Sequence, residues 1–122
     1  MIDFLSTRES TTADDAACCR LFTAIIALAI RDCVKRPNAA ERSGKANART
    51  MDRDAYSAMT FLFGKDSPFA GYASLIGTSA NDIRRALLNS EGRRGSELQS
   101  KDFRLLRMRL WWSGIDPTEV MK

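Results

Sequence analysis

A chain of 122 residues can build one domain around a single modest core, but not two. Histidine is absent, so no Ser–His or Cys–His catalytic arrangement exists. No phosphate loop, dinucleotide fingerprint or metal-ligand spacing occurs either, and we therefore expect no enzyme, no cofactor and no metal site.

The first predicted element is a long helix that follows a flexible arm over residues 1–12. Thr12 is the candidate N-cap, and Asp14 and Asp15 suit the positive end of the helix dipole. The apolar run 21–30 is too short for a membrane span, which needs about 20 residues. The apolar stripe of this helix is wide enough for a central core helix, or for a core helix whose second face lies in a homodimer.

The three cysteines, Cys18, Cys19 and Cys33, all lie in this helix. They cannot form an even disulfide framework, and Cys19 and Cys33 are about 21 Å apart along one helix, too far to bridge. A zinc ion would lack its fourth ligand. We expect reduced, mostly buried thiols in a cytoplasmic protein.

Two segments connect this helix to the motif described next. Residues 37–50 begin at a helix-ending proline and are predicted to form a flexible, basic loop, since residues 35–50 carry five basic and one acidic side chain, net +4. The cations of this loop either contact phosphates or are simply solvated. From Asp52 to Phe63 the apolar residues recur at helical spacing, which predicts a supporting helix that Gly64 ends.

Residues 67–89 have the layout of a helix-turn-helix. Ser67-Pro68 is typical of a helix start, and Gly77 supplies a left-handed stop. Ser79 then caps a second helix, with Asp82 in the capping-box position. Two short helices joined by such a turn are typical of a DNA-binding helix-turn-helix, and the alternative is a structural corner between two helices.

The second helix of this motif, residues 79–89, is the predicted reading helix. We expect its buried side to hold Ile83, Ala86 and Leu87. The predicted base-reading residues on its exposed side are Asn81, Arg84 and Arg85, because Arg suits guanine and Asn suits adenine in the major groove. Replacing both arginines by Ala is therefore expected to remove operator binding and to leave the melting temperature nearly unchanged.

Positive charge gathers in the reading helix and beyond it. Residues 79–112 carry eight basic and four acidic side chains, a net charge of +4. The whole chain also has a net charge of +4, because acidic segments elsewhere balance the basic loop at 35–50. This distribution suits a nucleic-acid face. The predicted phosphate-contacting residues are Ser79, Arg93, Arg94 and Arg104.

The last predicted helix begins at the cap residue Ser100 and ends at Gly114. Its expected buried stripe is Phe103, Leu106 and Leu110, with Trp111 as a further candidate. Its other sides are expected to carry Arg104, Arg107 and Arg109. Since Trp111 and Trp112 are adjacent, one of them should be buried and the other at least partly exposed.

Three segments carry a resemblance to known proteins: Ala-Ile-Arg-Asp at 29–32, Phe-Leu-Phe-Gly-Lys-Asp-Ser-Pro-Phe-Ala at 61–70, and Leu-Ile-Gly-Thr-Ser-Ala-Asn-Asp-Ile-Arg-Arg at 75–85. Over about residues 19–90 the chain resembles small helix-turn-helix proteins of bacterial phages and the DNA-binding part of gene-transfer-agent transcription activators. Those proteins more often have Leu-Asp-Pro-Glu after the turn glycine, where this chain has Thr-Ser-Ala-Asn. The resemblance implies activation of phage-like structural genes, with RNA polymerase and a DNA-bending protein as partners.

The sequence therefore predicts an all-α single domain of five or six helices that contains a helix-turn-helix, binds double-stranded DNA and regulates transcription in association with the bacterial nucleoid. Two alternatives stay open. One is a phage DNA-packaging adaptor of the small-terminase kind, and the other is a phage-encoded protein that binds a host protein through Trp112 and the basic last helix.

Overall fold

The computed structural model describes residues 8–89 and 99–121, with side chains over residues 16–88 and 99–121. All secondary structure in the described residues is helical, which confirms the predicted all-α class. Their elements are α1 (Arg8–Cys33), α2 (Ala39–Arg42), α3 (Arg53–Phe63), α4 (Phe69–Leu75), α5 (Ala80–Asn89), α6 (Ser100–Ser113) and a 3-10 turn (Pro117–Glu119). Within these ranges, no helix combines the length and the apolar character that crossing a membrane requires.

Helix α3 is the centre of the packing, because it contacts α1, α5 and α6. Its buried side chains are Ala55, Ala58, Met59, Leu62 and Phe63. All of these except Ala58 are the apolar residues whose helical spacing predicts this helix. The Asp52 carboxylate accepts the N–H of Ala55 at 2.9 Å and so caps the helix. Gly64 ends the helix, as predicted, but not through a left-handed turn: its φ is −74°, and a Cβ here would collide with the carbonyl oxygen of Thr60.

Helix α1 begins earlier than predicted and buries only one side. Since it starts at Arg8, residues 8–12 are helical and the predicted arm and Thr12 cap are wrong there; residues 1–7 lie outside the described part. Its buried residues are Ile26, Ala29 and Cys33. The opposite side carries the exposed Leu21 and Leu28, which no described element covers, so α1 is a core helix with a second face rather than the central helix of the core.

The cysteines of α1 differ from one another. Only Cys33 is buried, while Cys18 is exposed and Cys19 is half-buried, so the prediction of mostly buried thiols is wrong for Cys18. Burial raises the pKa of the Cys33 thiol to about 12, which keeps that thiol protonated and unreactive at neutral pH.

Four aromatic rings join α4 to the two helices that support it. The ring of Phe22 on α1 lies 4.7 Å from that of Tyr72 on α4, centroid to centroid. The ring of Phe61 on α3 lies 5.3 Å from Phe69 and 5.8 Å from Tyr72. Aromatic pairs at these distances add favourable edge and face contacts to their buried area. This cluster therefore holds α4 against both α1 and α3.

The segment 37–50 is more ordered than the predicted loop, because it contains α2. The Asn38 side chain accepts the N–H of Glu41 at 2.9 Å, and the Glu41 carboxylate accepts the N–H of Asn38 at 2.9 Å. This reciprocal capping box closes a single helical turn. The pattern Asn-x-x-Glu was present in the sequence, and the flexible-loop prediction is wrong over Ala39–Arg42.

The same glutamate forms a buried ion pair with the last helix. Arg109 Nε donates to Glu41 Oε2 at 2.8 Å and Arg109 Nη2 donates to Glu41 Oε1 at 2.9 Å, with neither side chain exposed. Arg109 Nη1 also donates to the carbonyl oxygen of Cys33 at 3.1 Å. Arg109 thus joins α6 to α2 and to the end of α1, and its predicted place on the exposed side of α6 is wrong.

Helix α6 otherwise follows the predicted pattern. Phe103, Leu106 and Leu110 are buried, and Gly114 ends the helix at φ +75°. The cap lies one residue before the predicted Ser100, at Gln99, whose N–H the Asp102 carboxylate accepts at 2.9 Å. Trp111 is 79% exposed and does not belong to the buried stripe, whereas its neighbour Trp112 is half-buried against the core.

Candidate nucleic-acid interface

Helix α4, residues 76–79 and α5 form one two-helix unit, which we call the reading unit after the role that the sequence predicts for it. Helix α4 starts at Phe69, so Pro68 occupies the N-cap position, one residue before its predicted place. Ser67 nevertheless supplies the cap: its hydroxyl accepts the N–H of Phe69 at 3.1 Å and donates to the carbonyl oxygen of Phe61. The second bond attaches the start of α4 to the last turn of α3.

The turn of the reading unit forms as predicted. Gly77 has a φ of +82°, a conformation that L side chains rarely adopt. The N–H of Gly77 donates to the carbonyl oxygen of Ser74 at 3.0 Å, and the N–H of Thr78 donates to that of Ala73 at 3.0 Å. These are the two bonds of a Schellman motif, and they satisfy the last carbonyls of α4 while the chain reverses toward α5.

Helix α5 buries a face that differs in part from the predicted one. Its buried residues are Ala80, Arg84 and Leu87, and Ile83 is half-buried. Ala86, predicted to be buried, is exposed. The three buried positions are spaced by four and three residues, so they lie along one line of the helix, and Arg84 falls in the middle of that line.

Arg84 is 5% exposed, and its predicted exposed position is wrong. Its Nε donates to the carbonyl oxygen of Leu62 at 2.6 Å, and its guanidinium lies 5.2 Å from the ring centroid of Phe69. Burial lowers the pKa of this guanidinium without removing its charge. Because Leu62 lies in the last turn of α3, a cation here satisfies a free helix carbonyl and faces the negative end of the helix dipole. Arg84 therefore ties α3, α4 and α5 together.

Arg85 is the predicted base-reading cation that the structure leaves on the surface. Its Nη1 lies 2.9 Å from Asp82 Oδ1, and the two side chains are 54% and 69% exposed. Asn81 is half-buried, and its Oδ1 accepts a hydrogen bond from Arg84 Nη1 at 3.0 Å. The two-bond contact of an asparagine with adenine uses both the amide oxygen and the amide nitrogen, so this bond competes with that role.

The predicted phosphate-contacting residues divide into two groups. Ser79 is exposed at the start of α5, where its hydroxyl accepts the N–H of Asp82 at 3.4 Å, and Arg104 is exposed on α6. Arg93 and Arg94 lie outside the described residues, so their predicted contacts stay predictions. Helices α5 and α6 touch, and Arg107 on α6 donates to the carbonyl oxygen of Leu88 at 3.3 Å.

Among the predicted base-reading residues, Arg84 is the one whose predicted exposed position is wrong, and the sequence contained a weak signal for its burial. Ala80 and Leu87 bracket it at the helical spacing of one inward stripe, which places Arg84 on that stripe unless its charge forbids burial. Arginine is rarely buried without partners, and two of those that surround Arg84, the carbonyl oxygen of Leu62 and the ring of Phe69, lie on other helices. Over the described side chains, no group of Cys, Asp and Glu residues is arranged to hold a metal ion. No protein-family model, curated protein or solved structure matches this chain.

Proposed function

We propose that this protein binds double-stranded DNA through the exposed face of α5 and regulates transcription. The observation that carries the proposal is the reading unit itself: a short helix, a left-handed glycine turn, and a second helix that Arg84 attaches to α3. Its outward side presents Ser79, Asp82 and Arg85. A rigid helix with polar, hydrogen-bonding side chains on its free face is what the major groove of DNA accepts.

In this proposal Arg85 is the principal base-reading residue. Its bridge to Asp82 is exposed, and such surface pairs contribute about 0–1 kcal/mol. Arg85 can therefore exchange this partner for the O6 and N7 acceptors of guanine at little cost. Asp82, once released, can accept from the N4 amino group of a cytosine. Arg84 has the different role of fixing the position from which Arg85 reaches the groove.

The phosphate contacts of the proposal fall around this helix. The Ser79 hydroxyl accepts the N–H of Asp82, and its own hydrogen remains available to donate to a phosphate oxygen. Arg104, and the predicted residues Arg93 and Arg94, would add sequence-independent contacts that position the protein. A regulatory role in a phage-like or gene-transfer-agent cluster, with RNA polymerase and a DNA-bending protein as partners, is supported by the sequence resemblance alone.

The test begins with chromatin immunoprecipitation and sequencing, in which one or a few sharp peaks are expected. Fluorescence anisotropy then compares a peak duplex with a scrambled duplex. Arg85→Ala should lose about 1–3 kcal/mol of discrimination, which is roughly five- to more than a hundredfold in specific affinity. Arg20→Ala on α1 removes the same charge from an exposed site on another helix and is the matched control, which should retain specific binding.

Two results would contradict the proposal. One is specific affinity in Arg85→Ala equal to that of the wild type, which would remove α5 as the reading helix. The other is equal weakening by Arg85→Ala and Arg20→Ala on both duplexes, which would reduce the interaction to non-specific charge attraction.

A second candidate function, binding of a host protein, is favoured by one observation. Trp111 is 79% exposed and, with Met108 and Trp112, lines an open cavity of about 360 Å³ on α6. Exposed tryptophans are enriched among the anchors of protein interfaces. This surface centres on Trp111, where the sequence predicted Trp112. Absence of genomic enrichment, together with a co-purifying host protein that Trp111→Ala loses, would favour this candidate over DNA binding.

A further inference from the structure

The outer face of α1 carries an apolar stripe that no described element covers. Its members are Ala17, Leu21, Ala24 and Leu28, followed by Arg31, all of them exposed, with Leu21 at 57% and Leu28 at 54%. The spacings of four, three, four and three residues repeat every seven, the pattern by which one helix packs along another. The buried residues of α1 lie on the opposite side of the helix.

The order of residues along this stripe is complementary to itself. In the antiparallel direction, about a two-fold axis between positions 22 and 23, Leu21 of one copy meets Ala24 of the other, and Leu28 meets Ala17. Each large side chain thus faces a small one at every layer, which lets the two helices approach closely. In the parallel direction, leucine would face leucine and alanine would face alanine, so that layers would alternate between crowded and empty.

The charges at the two ends of the stripe also favour the antiparallel arrangement. Position 14, an aspartate that belongs to α1, lies one heptad before Leu21, and Arg31 lies one heptad after Ala24. In the antiparallel arrangement position 14 of one copy meets position 31 of the other, so an acid meets a base at both ends. A parallel pair would instead bring acid to acid and base to base, which is unfavourable.

We propose that the outer face of α1 is the interface of an antiparallel homodimer of this chain. A two-fold interface uses the same patch on both copies, so it requires a surface that complements itself in shape and charge. The stripe from position 14 to Arg31 meets that requirement in each of its layers. The interface lies on the side of α1 away from α3 and α4, and it leaves the exposed face of α5 unused. The inference does not depend on DNA binding.

The test is sedimentation equilibrium of the full chain over a concentration series. We expect the mass to rise from 13.6 kDa to about twice that value. Leu28→Glu should remain monomeric, since it places a charge in two symmetry-related layers. Thr23→Glu adds the same charge to an exposed position of α1 outside the stripe and should dimerise like the wild type. Circular dichroism of each variant should retain the wild-type helical signal.

A charge exchange tests the direction of the pairing. Arg31→Asp should raise the dimer dissociation constant by roughly two- to thirtyfold, because two symmetric pairs of a surface type are lost. The double variant Asp14→Arg/Arg31→Asp should return it to near the wild-type value. In a parallel pair this substitution would only replace two facing bases by two facing acids, so an unchanged dissociation constant in Arg31→Asp would indicate the parallel arrangement and overturn the proposal.

A wild-type protein that stays monomeric up to its solubility limit would also overturn the proposal, and would assign this face to other parts of the chain or to a different protein. The same holds if Leu28→Glu, with its helical signal intact, dimerises as well as Thr23→Glu.

Discussion

Two adjacent arginines on one helix have opposite environments. Arg84 is buried, donates to the carbonyl oxygen of Leu62 and lies over the ring of Phe69, whereas Arg85 reaches solvent and pairs with an exposed aspartate. A step of one residue turns a helix by about 100°, which is enough to move a side chain from the inner face to the outer one. Replacement of Arg84 is therefore expected to affect stability, and replacement of Arg85 is expected to affect the proposed DNA contact.

Replacement of Arg84 is expected to lower the thermal stability of the protein, whereas replacement of Arg85 is not. Arg84→Ala leaves the carbonyl oxygen of Leu62 without its partner, and an unsatisfied buried acceptor costs about 1–3 kcal/mol. Its melting temperature should fall by several degrees in calorimetry. Arg85→Ala removes only an exposed pair and should change the unfolding free energy by less than about 1 kcal/mol. Equal melting temperatures for the two variants would mean that Arg84 does not hold the reading unit.

The two glycines of the reading unit differ in what they contribute: the turn requires Gly77, whereas Gly71 can be replaced. Gly77 has a φ of +82° in the turn, and the Schellman bonds around it require that conformation. Gly71 lies inside α4 and is exposed, and a Cβ there would meet no atom within 4 Å. The same substitution therefore has opposite consequences at the two positions.

We expect Gly77→Ala to lower the unfolding free energy by about 1–2 kcal/mol, the cost of a left-handed L-residue. Gly71→Ala should raise it by up to about 1 kcal/mol, since alanine is the better helix former. Urea denaturation followed by circular dichroism measures both. A Gly77→Ala protein as stable as the wild type would show that the turn has an alternative conformation, and would weaken the case for a rigid reading helix.

Across the whole molecule, the pair of Glu41 and Arg109 connects parts of the chain that are 68 residues apart. Arg109 on α6 reaches Glu41 in α2 and the carbonyl oxygen of Cys33 at the end of α1. The segment 37–50 is held in place by this contact. Removing one partner of a buried pair costs about 3–5 kcal/mol, because the other charge is left uncompensated.

The pH dependence of stability should report this pair. Burial by itself raises the pKa of Glu41, but hydrogen bonds from Arg109 and Asn38 outweigh it and hold the pKa below its ordinary 4.5. A carboxylate with a lowered folded-state pKa stabilises the protein fully above pH 4.5, and this contribution is lost as the pH falls through the folded-state value.

Glu41→Gln should therefore be less stable than the wild type at pH 7, by up to the cost of breaking the pair, and the difference should shrink as the pH falls below about 4.5. Urea denaturation from pH 3 to pH 7 measures it. The double variant Glu41→Leu/Arg109→Met, in which neither charge of this pair remains, serves as the control and should lack this component. A gap between wild type and Glu41→Gln that stays constant with pH would contradict the assignment.

Local signals in the sequence anticipated much of the fold. Asp52, Ser67, Gly77 and Gly114 act at helix ends as predicted, because a cap involves residues only a few positions apart. The spacing of buried residues in α3 and the predominance of helix follow from periodicity in the same way. The capping box of α2 was equally local, and it was obscured by the polar and basic composition around it.

The sequence by itself determined where most helices begin and end, that the described chain is helical, and which aliphatic residues of α3 and α6 face inward. Only the tertiary structure decided which arginines are buried. The carbonyl oxygen that Arg84 needs lies 22 residues away, and the carboxylate that Arg109 needs lies 68 residues away. A buried charge is stable only beside such a partner, and the spacing of residues within one helix contains no information about what another helix brings to it.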